Sequence, residues 1–491
     1  MNYTHNDYTP LTTQVIYYSL FQKKLFDDEI TIMKYFPEKV FGIFTSIRRN
    51  KKLDKWPVDI HGCIGYWDND FKDLTPDDLY NNLLRVSYDA LWNDNRKKYF
   101  EPIENDPESS IELDFMLNPI YNINTKTGTI TELKTQFSNQ TYGIIIQTNN
   151  GLRRATYLPN VFPNISWNEL IISIKNKAGI ANEEFKLYAY KIEQIKAQFI
   201  TLLTNRLFTD SCIYKFSRFL IDNMKKNLNF PFVYSYYGKS KNNRLEWNSK
   251  DDVRNIATLS EVFRYIYYYK TISTPEEFKM IKEKIFKILK NFSKYSSQSL
   301  SFLGYIYSLP NIFKNNNIGN KFNKNTSKNN FCKKLLKDLL TAEKDFARQE
   351  IIIGLNKAGC KIDQKDFPLS FDIKDTIFRM NWIIQAIISF NMIPSPELIS
   401  ILEKKIENEI FVGINTLETN YIAVAFEALC FVYNVYKSNG ELSIMYKIFR
   451  LLYELEKRKK SFDIFYVFLN NSVRVDITGH INNGLFQLHK I

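Results

Sequence analysis

The sequence lacks the residue spacings that mark common metal, redox and nucleotide sites. Its five cysteines, at positions 63, 212, 332, 360 and 430, are odd in number and contain no Cys-x-x-Cys pair, which argues against structural zinc and a disulfide framework. The four histidines, at positions 5, 61, 480 and 489, contain no His-x-x-x-His pair. A phosphate-binding glycine loop is also missing. We therefore predict no metal site and no bound cofactor.

Long apolar runs are absent as well. No stretch of about 18 uncharged apolar residues occurs, and the first ten residues are polar rather than basic and apolar. We expect an intracellular, soluble protein, cytoplasmic or nuclear, that does not associate with membranes.

Positive charge is abundant, with a net charge of +13. A basic surface can bind nucleic acid by releasing counterions from phosphate. However, 50 of the 66 basic residues are lysine, and they are scattered along the chain, as expected for an AT-rich coding sequence. We therefore disfavour nucleic-acid binding but keep it as an alternative to a solvated basic surface.

A chain of 491 residues exceeds what one hydrophobic core usually organises, so we predict two domains. Residues 1–199 have the mixed pattern of an α+β domain. Thr75-Pro76 and a capping box at Ser166 and Glu169 predict helix starts. Predicted strands are 41–47, 60–65, 111–117, 142–148 and 187–195.

The segment His61-Gly62-Cys63-Ile64-Gly65 is the place in this domain where chemistry can be predicted. Glycines on both sides of a cysteine let a ligand approach the sulfur, so Gly62 and Gly65 are candidate ligand-binding residues. If Cys63 is a nucleophile, His61, two residues away on the same strand face, is the candidate that activates it. The alternative is that Cys63 is a small buried residue in sheet packing.

Arg153 and Arg154 follow a hairpin turn at Asn149-Asn150-Gly151. Adjacent strand residues point to opposite faces, so at most one of the two arginines can face a given cleft and bind an anionic ligand. The alternative is a solvated strand edge.

Several ordered blocks resemble the AMMECR family, named for a chromosomal region deleted in Alport syndrome with midface hypoplasia and elliptocytosis. The resemblance covers about residues 10–200 and implies further site residues at Asp94 and Arg96. Where the family has arginine before Gly-Cys, this chain has His61. The resemblance defines no activity, although genomic association with Memo-like and radical-SAM proteins implies small-molecule or redox chemistry. The matching blocks are Gly42 to Thr45, Ile60 to Gly65, Ala90 to Phe100, Leu117 to Pro119, Gly143 to Ile146, Gly151, Leu158-Pro159 and Lys177 to Gly179.

From residue 200 onward proline and glycine become rare, and apolar periodicity predicts helix almost throughout. We predict for 200–491 an all-α array of helical hairpins, closed as an α/α toroid or stacked as a solenoid. An Asn- and Lys-rich stretch at 315–330 is predicted to be a disordered insertion.

Three phrases favour the toroid, because they resemble helix ends that converge on the cleft of six-hairpin glycosidases and terpenoid cyclases. The phrases are 252–255, 382–386 and 474–480. In the third, Arg474, Asp476 and His480 are a candidate polar cluster at a cleft mouth. The alternative is that Asp476 or Thr478 caps the last helix and that His480 is a packing residue with satisfied hydrogen bonds. Acid/base carboxylates cannot be singled out from candidates that include Asp252, Asp375, Glu427 and Asp476.

The sequence thus predicts an AMMECR-like protein with a helical partner domain and an undefined activity. One hypothesis is a Cys63-centred small-molecule or redox enzyme. The other is a non-catalytic protein that binds a small molecule or a protein partner through a glycine-lined cleft and a helical concave surface.

Overall fold

The computed structural model describes most of the chain as two compact units, residues 1–202 and 203–491. The described residues are 8–26, 28–53, 58–123, 137, 141–159, 161, 166–180, 183–224, 233–235, 244–246, 252–310, 312, 324–341, 346–366, 369–437, 442–460, 465–469 and 472–489.

The first unit is α+β, as predicted. Its helices are α1 (Thr9–Phe21), α2 (Glu29–Met33), α3 (Pro76–Trp92) and α4 (Trp167–Ala178), and the short α5 (Thr201–Thr204) contains the division between the units. Its strands are β1 (Val40–Arg48), β2 (Ile60–Trp67), β3 (Ser110–Ile123), β4 (Gly143–Thr148), β5 (Arg154–Tyr157) and β6 (Phe185–Gln198).

The predicted helix starts are confirmed. The Thr75 side chain accepts a hydrogen bond from the Asp78 amide at the start of α3, and Ser166 and Glu169 form the capping box of α4. These contacts satisfy amide groups that have no partner inside the helix. Gly179 ends α4 in the left-handed conformation that glycine favours.

The six strands form one antiparallel sheet in the order β2-β1-β3-β6-β4-β5. Arg154 on the β5 edge lies 4.7 Å from the ring of Trp67 on the β2 edge, so the sheet is curled until its two edges meet. One face packs against helices, as in the hydrogen bond between Thr45 and Ser87 of α3.

The predicted end of the third strand at Asn118-Pro119 is wrong. β3 continues to Ile123, and its pairing with β6 shifts register between Leu117 and Tyr121. Proline cannot donate to the ladder, and an irregularity of this kind accommodates it.

The second unit is mainly helical, as predicted. Its helices are α6 (Arg206–Asp222), α7 (Asp252–Tyr268), α8 (Pro275–Lys290), α9 (Ser297–Ser301), α10 (Lys324–Thr341), α11 (Phe346–Ala358), α12 (Ile377–Ser389), α13 (Pro396–Lys405), α14 (Thr419–Tyr436), α15 (Leu442–Lys457) and α16 (Val475–Leu488). No described helix has both the length and the apolar character needed to cross a bilayer.

This unit is not purely α. Five short strands form a second sheet in the order β8-β7-β11-β10-β9. Strands of two to five residues are too short for a periodic signal, and they depend on pairing between distant segments. The strands are β7 (Val233–Ser235), β8 (Arg244–Glu246), β9 (Lys459–Lys460), β10 (Phe465–Leu469) and β11 (Ser472–Arg474).

Two further expectations differ from the structure. Residues 315–323 of the predicted insertion lie outside the described residues, but α10 begins at Lys324, so the last part of the stretch is helical. Cys332 and Cys360 form a disulfide with a Cα–Cα distance of 5.8 Å. Tertiary packing brings together residues 28 positions apart, which spacing motifs do not detect.

Candidate functional site

The structure brings two predicted residues of the first unit, Asp94 and Arg96, close to Cys63. The Ser46 hydroxyl on β1 donates to the Cys63 sulfur at 3.3 Å, and the Cys63 amide donates to Oδ2 of Asp94 at 3.2 Å. Arg96 holds the same carboxylate with two donors, Nε at 2.9 Å and Nη2 at 2.6 Å. Asp94 therefore links the Arg96 guanidinium to the backbone of the cysteine.

The Cys63 thiol is half-buried and is not strongly activated. Burial raises its pKa, against the hydrogen bond from Ser46 and the positive charges of Arg96 and Lys177. Since the net direction is upward, the thiol is mainly protonated at neutral pH, whereas a nucleophile needs the thiolate.

His61 does not activate Cys63 in this arrangement. Its Nδ1 lies 3.2 Å from Nη1 of Arg49, and its Nε2 lies 2.7 Å from the Leu91 carbonyl. Burial lowers the pKa of His61 to about 4. The expected alignment with Cys63 fails because the register of β1 against β2 shifts here, and a bulge redirects side chains.

The two glycines beside Cys63 serve packing. A Cβ at position 62 would lie 1.8 Å from the Ala90 carbonyl oxygen, and a Cβ at position 65 would lie 2.3 Å from the Phe44 ring. Protein atoms fill both spaces. Close packing therefore accounts for both glycines, and the ligand-binding role of Gly62 and Gly65 stays a prediction.

The two adjacent arginines have different surroundings. Arg153 donates to the Gly179 carbonyl at 2.6 Å and pairs with Glu183 at 2.7 Å, so it serves as a local surface contact. Arg154 lies over Trp67 at the meeting edges of the sheet.

The helical unit contains a cavity of about 310 Å³. Each of the three phrases singled out in the sequence contributes to its wall, through Val253 and Arg254, Trp382 and Gln385, and His480. Arg474 ends β11 and Asp476 lies in the first turn of α16, but their side chains are outside the described part. Of that predicted cluster, His480 is placed at the cavity.

Glu427 on α14 is the centre of the polar wall. Its Oε2 accepts hydrogen bonds from Asn381 at 2.8 Å and from His480 Nδ1 at 2.7 Å, and its Oε1 accepts from Asn483. The residue is only 2% exposed. Burial raises its pKa, but the His480 charge and these hydrogen bonds outweigh burial, so the pKa of Glu427 is lowered. The carboxylate is therefore ionised at neutral pH.

His480 is oriented by this carboxylate. Because Nδ1 donates to Glu427, Nε2 is the ring nitrogen that can accept or release a proton. The His480 side chain is 20% exposed and lines the cavity. The pair thus has the arrangement of an oriented general base.

Polar residues extend the wall on both sides of α16. Arg264 donates through Nη2 to the Asn483 side chain at 2.7 Å, and its guanidinium lies 4.8 Å from the Phe486 ring. A Cβ at position 479 would lie 2.7 Å from Oε2 of Glu261, so Gly479 allows this second carboxylate to approach the helix closely.

Aromatic residues form the apolar part of the wall. Phe302 and Trp382 pack edge to face with ring centroids 6.3 Å apart, and Tyr305 donates to the Ser260 carbonyl at 2.7 Å. Phe378 also lines the cavity. The cavity therefore combines flat apolar surfaces with hydrogen-bonding groups. In the described part of the chain, no group of three or more His, Cys, Asp or Glu residues is placed to hold a metal ion.

Sequence reasoning missed most of this network. Asn381, Asn483 and Glu261 were not singled out, and Glu427 was one of four unranked carboxylates. A signal existed, since Glu427 is the only charged residue in the apolar helix α14.

Comparison with known proteins identifies the first unit. Residues 11–200 match the model of the AMMECR1 family, which confirms the resemblance predicted from the sequence. Among solved structures, an uncharacterized protein, PH0010 from Pyrococcus horikoshii, is similar at 18% identity, over 38% of this chain and 88% of that chain, with a TM-score of 0.27. No curated protein matches the chain.

Proposed function

We propose that, beside the AMMECR1 domain at residues 11–200, the helical unit is an enzyme that binds a small polyhydroxylated molecule in its cavity. His480 transfers a proton to or from this molecule, and Glu427 orients His480. The observation that carries the proposal is the 2.7 Å hydrogen bond between His480 Nδ1 and the buried Glu427 at the cavity wall.

The division of roles follows from the hydrogen bonds. Glu427 already accepts from three side chains, so it has little capacity left for a ligand. A buried carboxylate costs several kcal/mol unless donors satisfy it. Its ionised form stabilises positive charge on the imidazole when that ring takes up a proton. Glu427 is thus a positioning residue, and His480 is the group that meets the ligand.

The ligand class follows from the lining. The cavity volume of about 310 Å³ is at the lower end for small-molecule sites. The C–H faces of a sugar-like ring pack on aromatic rings such as Trp382 and Phe302, while Gln385 and Glu261 offer hydrogen-bond partners for hydroxyl groups.

The same lining supports an α/α toroid with the cavity at its centre. Residues from α7, α9, α11, α12, α14 and α16 contribute to one cavity. A stacked solenoid contacts its neighbours in sequence and does not gather helices from both ends of the array around one point.

A nucleophilic role of Cys63 has weaker support, because the thiol is mainly protonated and His61 has other partners. It stays a prediction. Binding without catalysis in the helical cavity is the second candidate, and the experiment below separates it from the first.

The test uses the full chain and a panel of monosaccharides, disaccharides and aryl glycosides. Binding is measured by calorimetry and conversion by NMR. We expect His480→Gln to bind a positive ligand within about threefold of the unmodified protein but to convert it at least about 100-fold more slowly.

The control is His489→Gln, at the other end of the same helix and away from the cavity lining. This variant should convert the ligand normally. Binding by every variant without conversion assigns the cavity to a binding protein. Absence of any binding across the panel contradicts the proposed ligand class.

A further inference from the structure

A second candidate site surrounds Cys63 on β2, in the sheet of the first unit. There the Cys63 sulfur is half-buried, and two cations from different elements act on it. Arg96 comes from the turn after α3, and Lys177 comes from the last turn of α4.

No acidic side chain among the described residues forms an ion pair with Lys177. Its Nζ donates to the Thr156 carbonyl at 2.8 Å and lies 4.5 Å from the Tyr157 ring. Among the described residues this is its only hydrogen bond, so two of its three N–H donors lack a protein partner. Burial lowers the pKa of this ammonium, as does the charge of Arg96. An anion would supply the missing acceptors.

Arg96 is held near Cys63 by Asp94. Both oxygens of Asp94 engage Arg96, and one of them also accepts from the Cys63 amide. A single carboxylate, that of Asp94, thus balances the two cations Arg96 and Lys177 near the half-buried thiol. Another acid that influences Cys63, Asp114, is only 2% exposed and accepts a hydrogen bond from Gln194 at 2.7 Å, so it is buried and already has a partner.

We propose that Arg96 and Lys177 bind the carboxylate or phosphate group of a small anionic ligand and hold that ligand next to the thiol of Cys63. The site lies in the AMMECR1 domain and involves none of the residues of the helical cavity. It is therefore independent of the function proposed for His480.

Two alkylating reagents that differ in charge test this site. Iodoacetate and iodoacetamide react identically: the thiolate sulfur forms a bond to the CH2 carbon, iodide leaves, and the thiol proton goes to solvent. Cys212 and Cys430 are buried, and peptide mass spectrometry measures the rate at Cys63 separately. The reference is the same cysteine in the urea-unfolded chain.

We expect the iodoacetate-to-iodoacetamide rate ratio at Cys63 to be about fivefold higher in the folded protein than in urea, since two nearby cations attract the anionic reagent. Lys177→Gln should reduce this enhancement at least about threefold. Lys175→Gln is the matched control: it lies two residues earlier on α4, with its ammonium 5.1 Å from the Phe185 ring, and should leave the ratio unchanged.

Inorganic phosphate and acetate then distinguish the ligand groups. Each anion is compared with sodium chloride at equal ionic strength. The anion that slows the labelling by iodoacetate more than sodium chloride does contains the group that the site prefers. Equal ratios in the folded and unfolded chain, or equal effects of the two lysine substitutions, overturn the proposal.

If Cys63 reacts with neither reagent in the folded protein, the effect of the anions on the melting temperature tests the proposal instead. Phosphate or acetate should then raise the melting temperature of the unmodified protein and of Lys175→Gln more than that of Lys177→Gln, relative to sodium chloride. Equal shifts in all three proteins overturn the proposal.

Discussion

Glu427 places a carboxylate where an apolar side chain would be expected, in the middle of the buried helix α14. Its three donors come from α12 and α16. At the level of single residues, this charge is tolerated only while all three donors remain in place.

Glu427→Gln should therefore destabilise the helical unit. The amide NH2 group would face at least one of the donors Asn381, His480 and Asn483, so that two donors oppose each other. We expect a loss of about 3 kcal/mol in the free energy of unfolding. Urea unfolding followed by circular dichroism measures it.

The matched control is Glu283→Gln, which makes the same chemical change at an exposed position of α8. It should change the free energy of unfolding by no more than about 0.5 kcal/mol. Equal effects of the two substitutions would contradict the central role of Glu427.

Asp114 should make the stability of the first unit depend on pH. Burial raises its pKa from 3.8 to about 6, so the folded protein binds its proton more tightly than the unfolded chain does. Asp114 therefore destabilises the fold increasingly as the pH rises from about 4 to above 6, by up to about 3 kcal/mol.

Asp114→Asn removes this effect and can still accept the hydrogen bond from Gln194. The variant should be as stable as the unmodified protein near pH 4. Its free energy of unfolding should exceed that of the unmodified protein by an increasing amount as the pH rises to 7. Denaturant unfolding at several pH values tests this. Glu38→Gln, at an exposed position, should show a nearly constant difference, and a flat difference for Asp114→Asn would refute the prediction.

At the scale of elements, the sequence could predict the features that depend on contacts between residues close together in the chain. Thr75 and Ser166 cap helices by contacts within three residues, and such contacts are visible in a sequence. The second sheet, by contrast, joins the strands β7 and β8 to the strands β9, β10 and β11, which lie more than 200 residues later, and pairing at such distances leaves no short motif.

The candidate site residues divide in the same way, into those recognisable from the nearby sequence and those that depend on distant segments. Cys63, Asp94 and Arg96 could be named as candidates because each lies in a recognisable block of sequence. The expected alignment of His61 with Cys63 did not take account of the bulge in the pairing of β1 with β2, which the sequence does not reveal. Glu427 could not be ranked, since its partners Asn381 and Asn483 come from other helices.

The disulfide links α10 to the residue two positions after the end of α11, across 28 residues of sequence. Closing a loop of this length should stabilise the helical unit by about 3 kcal/mol, mainly by restricting the unfolded chain. We expect Cys332→Ser and Cys360→Ser to lower the melting temperature equally, and the double variant to lower it no further. Scanning calorimetry measures this, and a larger loss in the double variant would show that the sulfurs act separately.

At the scale of the whole molecule, each unit has its own hydrophobic core. The first unit buries residues such as Ile146 and Leu187 between α4 and the sheet. The helical unit buries a larger cluster that extends from Ile213 to Phe486. A unit that buries its own core can fold alone, and this supports the two-domain organisation expected from the length.

We therefore expect a chain that ends at residue 202 to fold without the helical unit. It should unfold cooperatively in calorimetry, because its sheet is complete within these residues. Its iodoacetate-to-iodoacetamide ratio at Cys63 should match that of the full chain, since Arg96, Lys177 and Asp94 are all present. A fragment that melts without a transition, or that labels at the ratio of the urea-unfolded chain, would show that the AMMECR1 domain needs the rest of the protein to form its thiol site.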